Sequence, residues 1–220
     1  MSPSNLKVDS TPTSQRLREG CWDLHQSAES GGFARRMIAG RLSRDAYVAM
    51  LQAFHAPMRA LDRHLHAHRA DVPAIDALVD EPQMQAPHIE RDLAAFDTPV
   101  PDATVGRAGA TLLELIDRFE RENPTALLGL HYVREGANNG NRFVAMKLRE
   151  PLGLAAGEGL AYLDPYANEQ RPRWETFKTT FDSLEFSPEQ TDAMVQAARA
   201  MFQAIIDVHL ELEARFEGDD

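Results

Sequence analysis

The sequence predicts an all-α, single-domain bundle with irregular packing. Three observations carry this. Apolar residues recur at three- and four-residue spacing along most of the chain. The strand signal is weak everywhere. Helix start and stop signals, a capping box among them, punctuate the periodic runs. The 220 residues suffice for one helical domain with a generous core, and no internal repeat or low-complexity segment divides them.

The elements follow in order. Residues 1–13 read as a disordered arm, and 14–216 as the helical domain. Ser14 is placed to cap a helix over 14–30, with Leu17, Cys21, Leu24 and Ala28 on one face. Gly31 and Gly32 end it. A short helical turn covers 33–39 and Gly40 closes it. Ser43 caps a long helix over 44–69, with Tyr47, Met50, Leu51, Phe54, Met58, Leu61 and Leu65 facing inward. Pro57 lacks an amide hydrogen and should kink or break that helix. Helical pieces follow at 74–79 and 87–96. The loop DTPVPDATVG leads to a helix over 108–122, and Asn123-Pro124 is a stop-and-start signal. A glycine-bearing helix runs from there to about 150. A loop at 153–159 and the stretch YLDPY precede a helix over 170–184. Ser187-Pro-Glu-Gln190 is a capping box with proline at the first helical position. It opens a last helix to 216, leaving a tail at 217–220.

Composition narrows the class. With 43% hydrophobic and 26% charged residues, the chain reads as a soluble globular protein. No apolar run approaches a membrane span, and the N-terminus has no apolar signal region. Cys21 is the single cysteine, which excludes an internal disulfide and a cysteine-ligated cluster. A reducing cytoplasm is the natural setting. The net charge of −11 argues against nonspecific nucleic-acid binding, which needs positive charge to meet phosphates. The arginines at 16, 18, 35, 36, 41 and 44 read mostly as a solvated helix surface.

Two stretches carry chemistry. Residues 130–148, LHYVREGANNGNRFVAMKL, begin and end like a helix, yet the middle holds two glycines and three asparagines, poor helix formers. On a helical wheel Gly129, Tyr132, Val133, Gly136, Gly140 and Phe143 share one side. That side is nearly bare between Val133 and Phe143, with Ala137 and Asn139 flanking it. A flat ligand could lie there; close helix–helix packing through Gly-x-x-x-Gly is the alternative. In RLREGCWDLHQSAE, His25 lies beside the apolar stripe and Glu29 follows four residues later on the same face. An imidazole whose Nδ1–H meets a carboxylate has a fixed tautomer and a free Nε2 for a metal. A satisfied core histidine is the alternative.

These stretches resemble one family. LREGCWDLHQSAE, with the following GGFARRMIAGRLSRDAYVAML, resembles the opening of the haem oxygenases. LHYVREGANNGNRF resembles their distal helix in its bacterial form, and GEGLAYLDPY the loop after it. WETFKTTFDSLEFSPEQ and the last helix resemble the C-terminal third. The likeness runs from about 17 to 212, in the family's order and spacing.

The resemblance implies haem held between a proximal and a distal helix. It makes His25 the proximal iron ligand and Glu29 the carboxylate near it. Gly136 and Gly140 match the distal glycines against the porphyrin face. Tyr132 and Phe202 match aromatic wall positions, Phe143 joins the cofactor-binding set from its place on the wheel, and Arg18 and Lys178 match basic positions that meet propionates. The implied activity is cleavage of haem to biliverdin, carbon monoxide and ferrous iron, with O2 and electrons from a reductase or ferredoxin. The distal set Gly136, Asn138, Asn139 and Gly140 would carry it. The implied partners are haem and an electron-donor protein, with no nucleic acid and no membrane span, on a monomer or weak dimer.

The chain also departs from the family. Asn138 stands where the better-known motif has aspartate, as in some bacterial members. Ala137 replaces the usual serine, Asn139 the usual leucine and Asn141 a small residue. Trp174 occupies a position that is often basic, for which Arg171 or Arg173 could substitute. A donor-rich distal wall implies altered hydrogen bonding to O2, so haem binding is implied more firmly than turnover. A haem carrier on the same fold is therefore a rival reading. A di-iron reading based on Asp207 and His209 is weaker, because residues two apart face differently on a helix. His64, His66 and His68 read as surface, His55 and His88 as ordinary helix residues, and His131 as packing.

Overall fold

In the computed structural model, which describes residues 11–217, ten α-helices and three short 3₁₀ turns account for the regular structure. They are α1 (Thr13–Gly20), α2 (Trp22–Ser30), α3 (Gly32–Ile38), α4 (Arg44–Ala67) and α5 (Pro73–Leu78), then α6 (Ala86–Ala95), α7 (Arg107–Glu122), α8 (Leu127–Leu148), α9 (Gln170–Ser183) and α10 (Pro188–Arg215). The 3₁₀ turns are Glu81–Gln83, Pro124–Ala126 and Ala167–Glu169. The expected arm and tail lie largely outside the described residues, although Thr13 already belongs to α1.

Side-chain caps set three of the helix starts among the described residues. Ser43 Oγ accepts the Ala46 N–H at 3.2 Å and starts α4. Asn123 Oδ1 accepts the Thr125 N–H at 3.2 Å. Ser187 and Gln190 exchange side-chain and backbone bonds at the start of α10, as the capping box predicts. The single helix expected over 14–30 is instead two. Cys21, at φ −122° and ψ 9°, separates them, and its thiol turns back to the Leu17 carbonyl at 2.9 Å. Ser14 does not cap. Its N–H and hydroxyl both donate to the Asp182 carboxylate, at 2.8 and 2.7 Å, and tie α1 to α9. Pro57 does not break α4, which runs through it without interruption.

Helix α10 is the spine of the bundle, packing on α8, α7, α1, α2, α3 and α4, while α4 packs on α6 and α7. Every inward position expected for α4 is buried. The surface reading of two histidines is corrected. His64 pairs with Asp117 at 2.7 Å and His68 with Glu120 at 3.1 Å, tying α4 to α7, whereas His66 is exposed. Two N-terminal arginines likewise do more than face water, since Arg36 and Arg44 donate to the carbonyls of Phe216 and Phe96.

The rear of α8 is polar and buried. Arg134 Nη1 donates to Asp62 Oδ1 at 2.5 Å, Nη2 meets His131 Nδ1 at 3.0 Å, and Asp62 Oδ2 accepts the Ala86 N–H at 2.8 Å. The Tyr166 hydroxyl donates to the Glu135 carboxylate, 3.1 Å from each oxygen. Burial pushes the Glu135 carboxyl up to about 7, against the opposing pull of Arg134. Burial also holds His131 well below the ordinary histidine range, as a packing residue requires. These bonds anchor α8 from behind and leave its front face free.

Candidate functional site

The front of α8 faces a cavity of about 1190 Å³. Helices α1 and α2 form one wall, α8 the opposite wall, α10 the base, α3 one end, and α9 contributes Trp174 and Lys178. Helix α2 contributes no buried residue, because its inward face looks onto this open space instead of onto packed side chains.

His25 lies in the wall formed by α2, partly exposed. Its ring stacks on Trp22, with centroids 5.1 Å apart and planes 9° from parallel. Phe202 meets it edge-on at 5.5 Å and 71°. Its Nδ1 is buried and has no hydrogen-bond partner. The nitrogen nearer Glu29 is Nε2, at 3.8 Å, which is beyond hydrogen-bond reach. The tautomer expected from a carboxylate bond to Nδ1 is therefore not built here.

The three glycines of α8 have different neighbours. A Cβ on Gly129 would sit 2.1 Å from the Met194 carbonyl oxygen, so Gly129 serves α8–α10 packing and leaves the front stripe where the wheel placed it. A Cβ on Gly136 would meet the Trp174 indole at 3.5 Å. A Cβ on Gly140 would find nothing within 4 Å. The bare strip is thus partly covered by Trp174 and fully open at Gly140.

Other expected residues are brought together here. Tyr132 lines the wall, and its hydroxyl donates to the Ser14 carbonyl at 3.2 Å. Phe143 sits at the rim, 64% exposed, and Phe202 at the base. Arg18 lines the cavity with its guanidinium 5.5 Å from the Trp22 ring centroid. Lys178 lines it too, paired with Glu175 at 3.0 Å and lying 5.7 Å from the Trp174 ring centroid. Asn139 is in the wall, but its amide donates to the Gly136 carbonyl of its own helix at 3.0 Å.

Two expected residues lie away from the cavity. Asn138 is on the rear of α8, 2% exposed, and does not line the cavity. Position 138 lies about 200° around the helix from position 136, which carries its side chain away. Arg173 cannot stand in for a base at Trp174, because it pairs with Asp80 at 2.5 Å and covers the Tyr166 ring; neither it nor Arg171 lines the cavity.

The sequence reading missed Trp22, Lys147 and His209, all in the cavity wall. Lys147 follows Gly140 by seven residues on the same stripe, so the wheel could have found it. His209 lies against Phe33 and Phe54, its Nδ1 unpartnered, and burial lowers it to about 4. No single-residue signal marked it as cavity-facing. Among the described residues no group of three or more His, Cys, Asp or Glu side chains could hold a metal ion, so the di-iron reading finds no ligand cluster. No helix among them is long and apolar enough to cross a membrane.

The residues fit a flat, dianionic macrocycle. One wall offers an imidazole with an unpartnered nitrogen, the other a strip without side chains, and Arg18, Lys147 and Lys178 supply positive charge. The fold matches heme oxygenase from Leptospira interrogans, at TM-score 0.83 and 21% identity over 90% of this chain and 98% of that one. It also matches heme oxygenase-2 from Synechocystis sp. PCC 6803, solved in complex with heme and NO, at TM-score 0.86 and 21% identity over 94% and 87%. Human heme oxygenase 1 is 22% identical over 96% of this chain and 76% of its own length, and heme oxygenase from Rhodella violacea 20% identical over 91% and 87%. The family model described as Heme oxygenase matches residues 11–211, and the chain belongs to that family.

Proposed function

We propose that this protein is a haem oxygenase, cleaving haem to biliverdin, carbon monoxide and ferrous iron with O2 and electrons from a reductase or ferredoxin. The observation that carries this is the pairing of walls: His25, whose Nε2 lies 3.8 Å from Glu29 and is free of hydrogen bonds, on one side, and the open backbone at Gly140 on the other. Bound haem supplies the iron that activates O2; the protein supplies position.

His25 is the iron ligand. Gly136 and Gly140 would let the α8 backbone approach a bound ring closely, so that this wall limits the space beside it. Arg18, Lys147 and Lys178 meet the propionates. That pairing fixes the rotation of the ring and so selects which meso carbon is attacked. Lys178 leaves Glu175 to do so. Tyr132, Phe143 and Phe202 give the apolar contact and exclude water. Asn139 and Asn141 are the polar groups of the distal wall; one Asn139 amide hydrogen is held by the Gly136 carbonyl, and the other would be available to a polar ligand atom. Asn138, turned to the rear, takes no direct part.

The test is a titration of ferric haem into the protein and into His25→Ala, followed by reduction in air with ascorbate or a ferredoxin–reductase pair. The expected result is a histidine-ligated Soret spectrum that His25→Ala loses. The Soret band of the parent complex then decays as biliverdin absorbance and carbon monoxide appear together. A complex that only returns to ferric haem would be a carrier, the reading favoured by Asn139 and Asn141 in the wall. An unchanged spectrum in His25→Ala removes His25 as ligand.

A further inference from the structure

The contacts of His25 raise the question of what fixes its ring. Hydrogen bonding does not, because Nδ1 has no partner and Glu29 is 3.8 Å from Nε2. The Glu29 side chain is also 61% exposed, where water screens its charge. Aromatic surfaces do hold the ring. The Trp22 indole covers one face nearly parallel at 5.1 Å, and the Phe202 edge abuts it at 5.5 Å. Trp22 is in turn covered by Arg18, 5.5 Å from its ring centroid. Arg18, Trp22 and His25 form one column along α1 and α2, at helical spacings of four and three residues. Phe202 approaches from α10, so the clamp lies where α2 packs on α10.

We propose that Trp22 is the positioning residue of the site, its stacked indole setting the rotation of the His25 imidazole and therefore the direction of the ring nitrogen offered to the ligand. This rests on the assignment of His25 as the haem ligand. An indole that is 44% exposed has little packing reason to be there, since a charged or polar residue would serve equally on that surface. Its contribution is the stack. A ligating imidazole is commonly oriented by a hydrogen bond to its other nitrogen, which also raises its basicity. Here orientation comes from a neutral π face instead.

The experiment compares wild type, Trp22→Leu and Trp22→Phe. In the haem-free protein, NMR should place the His25 ring protons upfield through the Trp22 ring current. The shift should be largely kept in Trp22→Phe and lost in Trp22→Leu. In the ferrous haem complex, the iron–histidine stretching band in resonance Raman should shift or broaden in Trp22→Leu and recover in Trp22→Phe. Haem should dissociate about 3- to 10-fold faster from Trp22→Leu, the range expected for loss of one aromatic pair. A purely structural role would alter thermal stability without moving the Raman band. A band and dissociation rate unchanged in Trp22→Leu, or a band moved by Glu29→Gln alone, would overturn the positioning role. If the His25 protons respond as expected but the wild-type haem complex lacks a histidine band, the haem assignment falls and the role falls with it.

Discussion

On the rear of α8, His131, Arg134, Glu135 and Asn138 are all buried, and three of them bond to Asp62, Tyr166 or one another. On the front, Gly136, Ala137 and Gly140 present almost no side chain, and Gly140 faces open space. The same helix is thus polar where it is buried and bare where it is accessible. The contrast shows how a helix can afford a weak front. Its position is held from behind by charge pairs and from α10 by close packing at Gly129, so the front need not bury anything.

The largest effect expected from breaking this arrangement is at Arg134. Replacing it with methionine leaves the buried Asp62 carboxylate without its cation, with only the Ala86 N–H remaining. The expected loss is about 3–5 kcal/mol, read by urea denaturation. A loss near zero would mean that α8 is not held from behind.

The next effect separates two glycines of one helix. Gly129→Ala pushes a methyl against the Met194 backbone and should cost at least about 1–3 kcal/mol. Gly140→Ala meets nothing and should stabilise α8 by about 1 kcal/mol through helix propensity. It should weaken haem binding at the same time, which a titration beside the denaturation curve reads. If Gly140→Ala raises both stability and affinity, the open strip is not a ligand face.

The smallest effect is the pH dependence contributed by the rear. Glu135 holds its proton up to about 7 in the folded protein, against 4.5 ordinarily. Folding therefore takes up a proton between those values. The contribution is fully present below about pH 4.5 and is lost as pH rises through about 7. Glu135→Gln should flatten that decline, and the gap between variant and parent should change between pH 5 and pH 8. Equal pH profiles would mean that Glu135 is not desolvated as its burial implies.

Much of this was legible in the chain. The capping residues Ser43 and Ser187, the inward stripe of α4, and the placement of His25, Tyr132, Gly140 and Phe202 around one space follow from periodicity, local hydrogen-bond chemistry and a family resemblance. The errors share a cause. Ser14, Gly129 and His64 are local readings, and each residue is committed to another helix, at Asp182, Met194 and Asp117; Arg173, suggested by the resemblance, is committed to Asp80 in the segment after α5. Asn138, expected from the motif, lies on the rear of α8 because its wheel angle is about 200° from that of Gly136.

By itself the sequence determined most of the helices, the caps at Ser43 and Ser187, and the bare stripe at Gly136 and Gly140, because those depend on backbone hydrogen bonding and on repeats within a few residues. The tertiary structure decided what the stripe faces. It placed Trp174 over Gly136, left Gly140 open, stacked Trp22 on His25 and kept Glu29 out of reach of it. Such contacts depend on how helices far apart in sequence are set against one another. That geometry is fixed by the packing of the whole core, and no local pattern carries it.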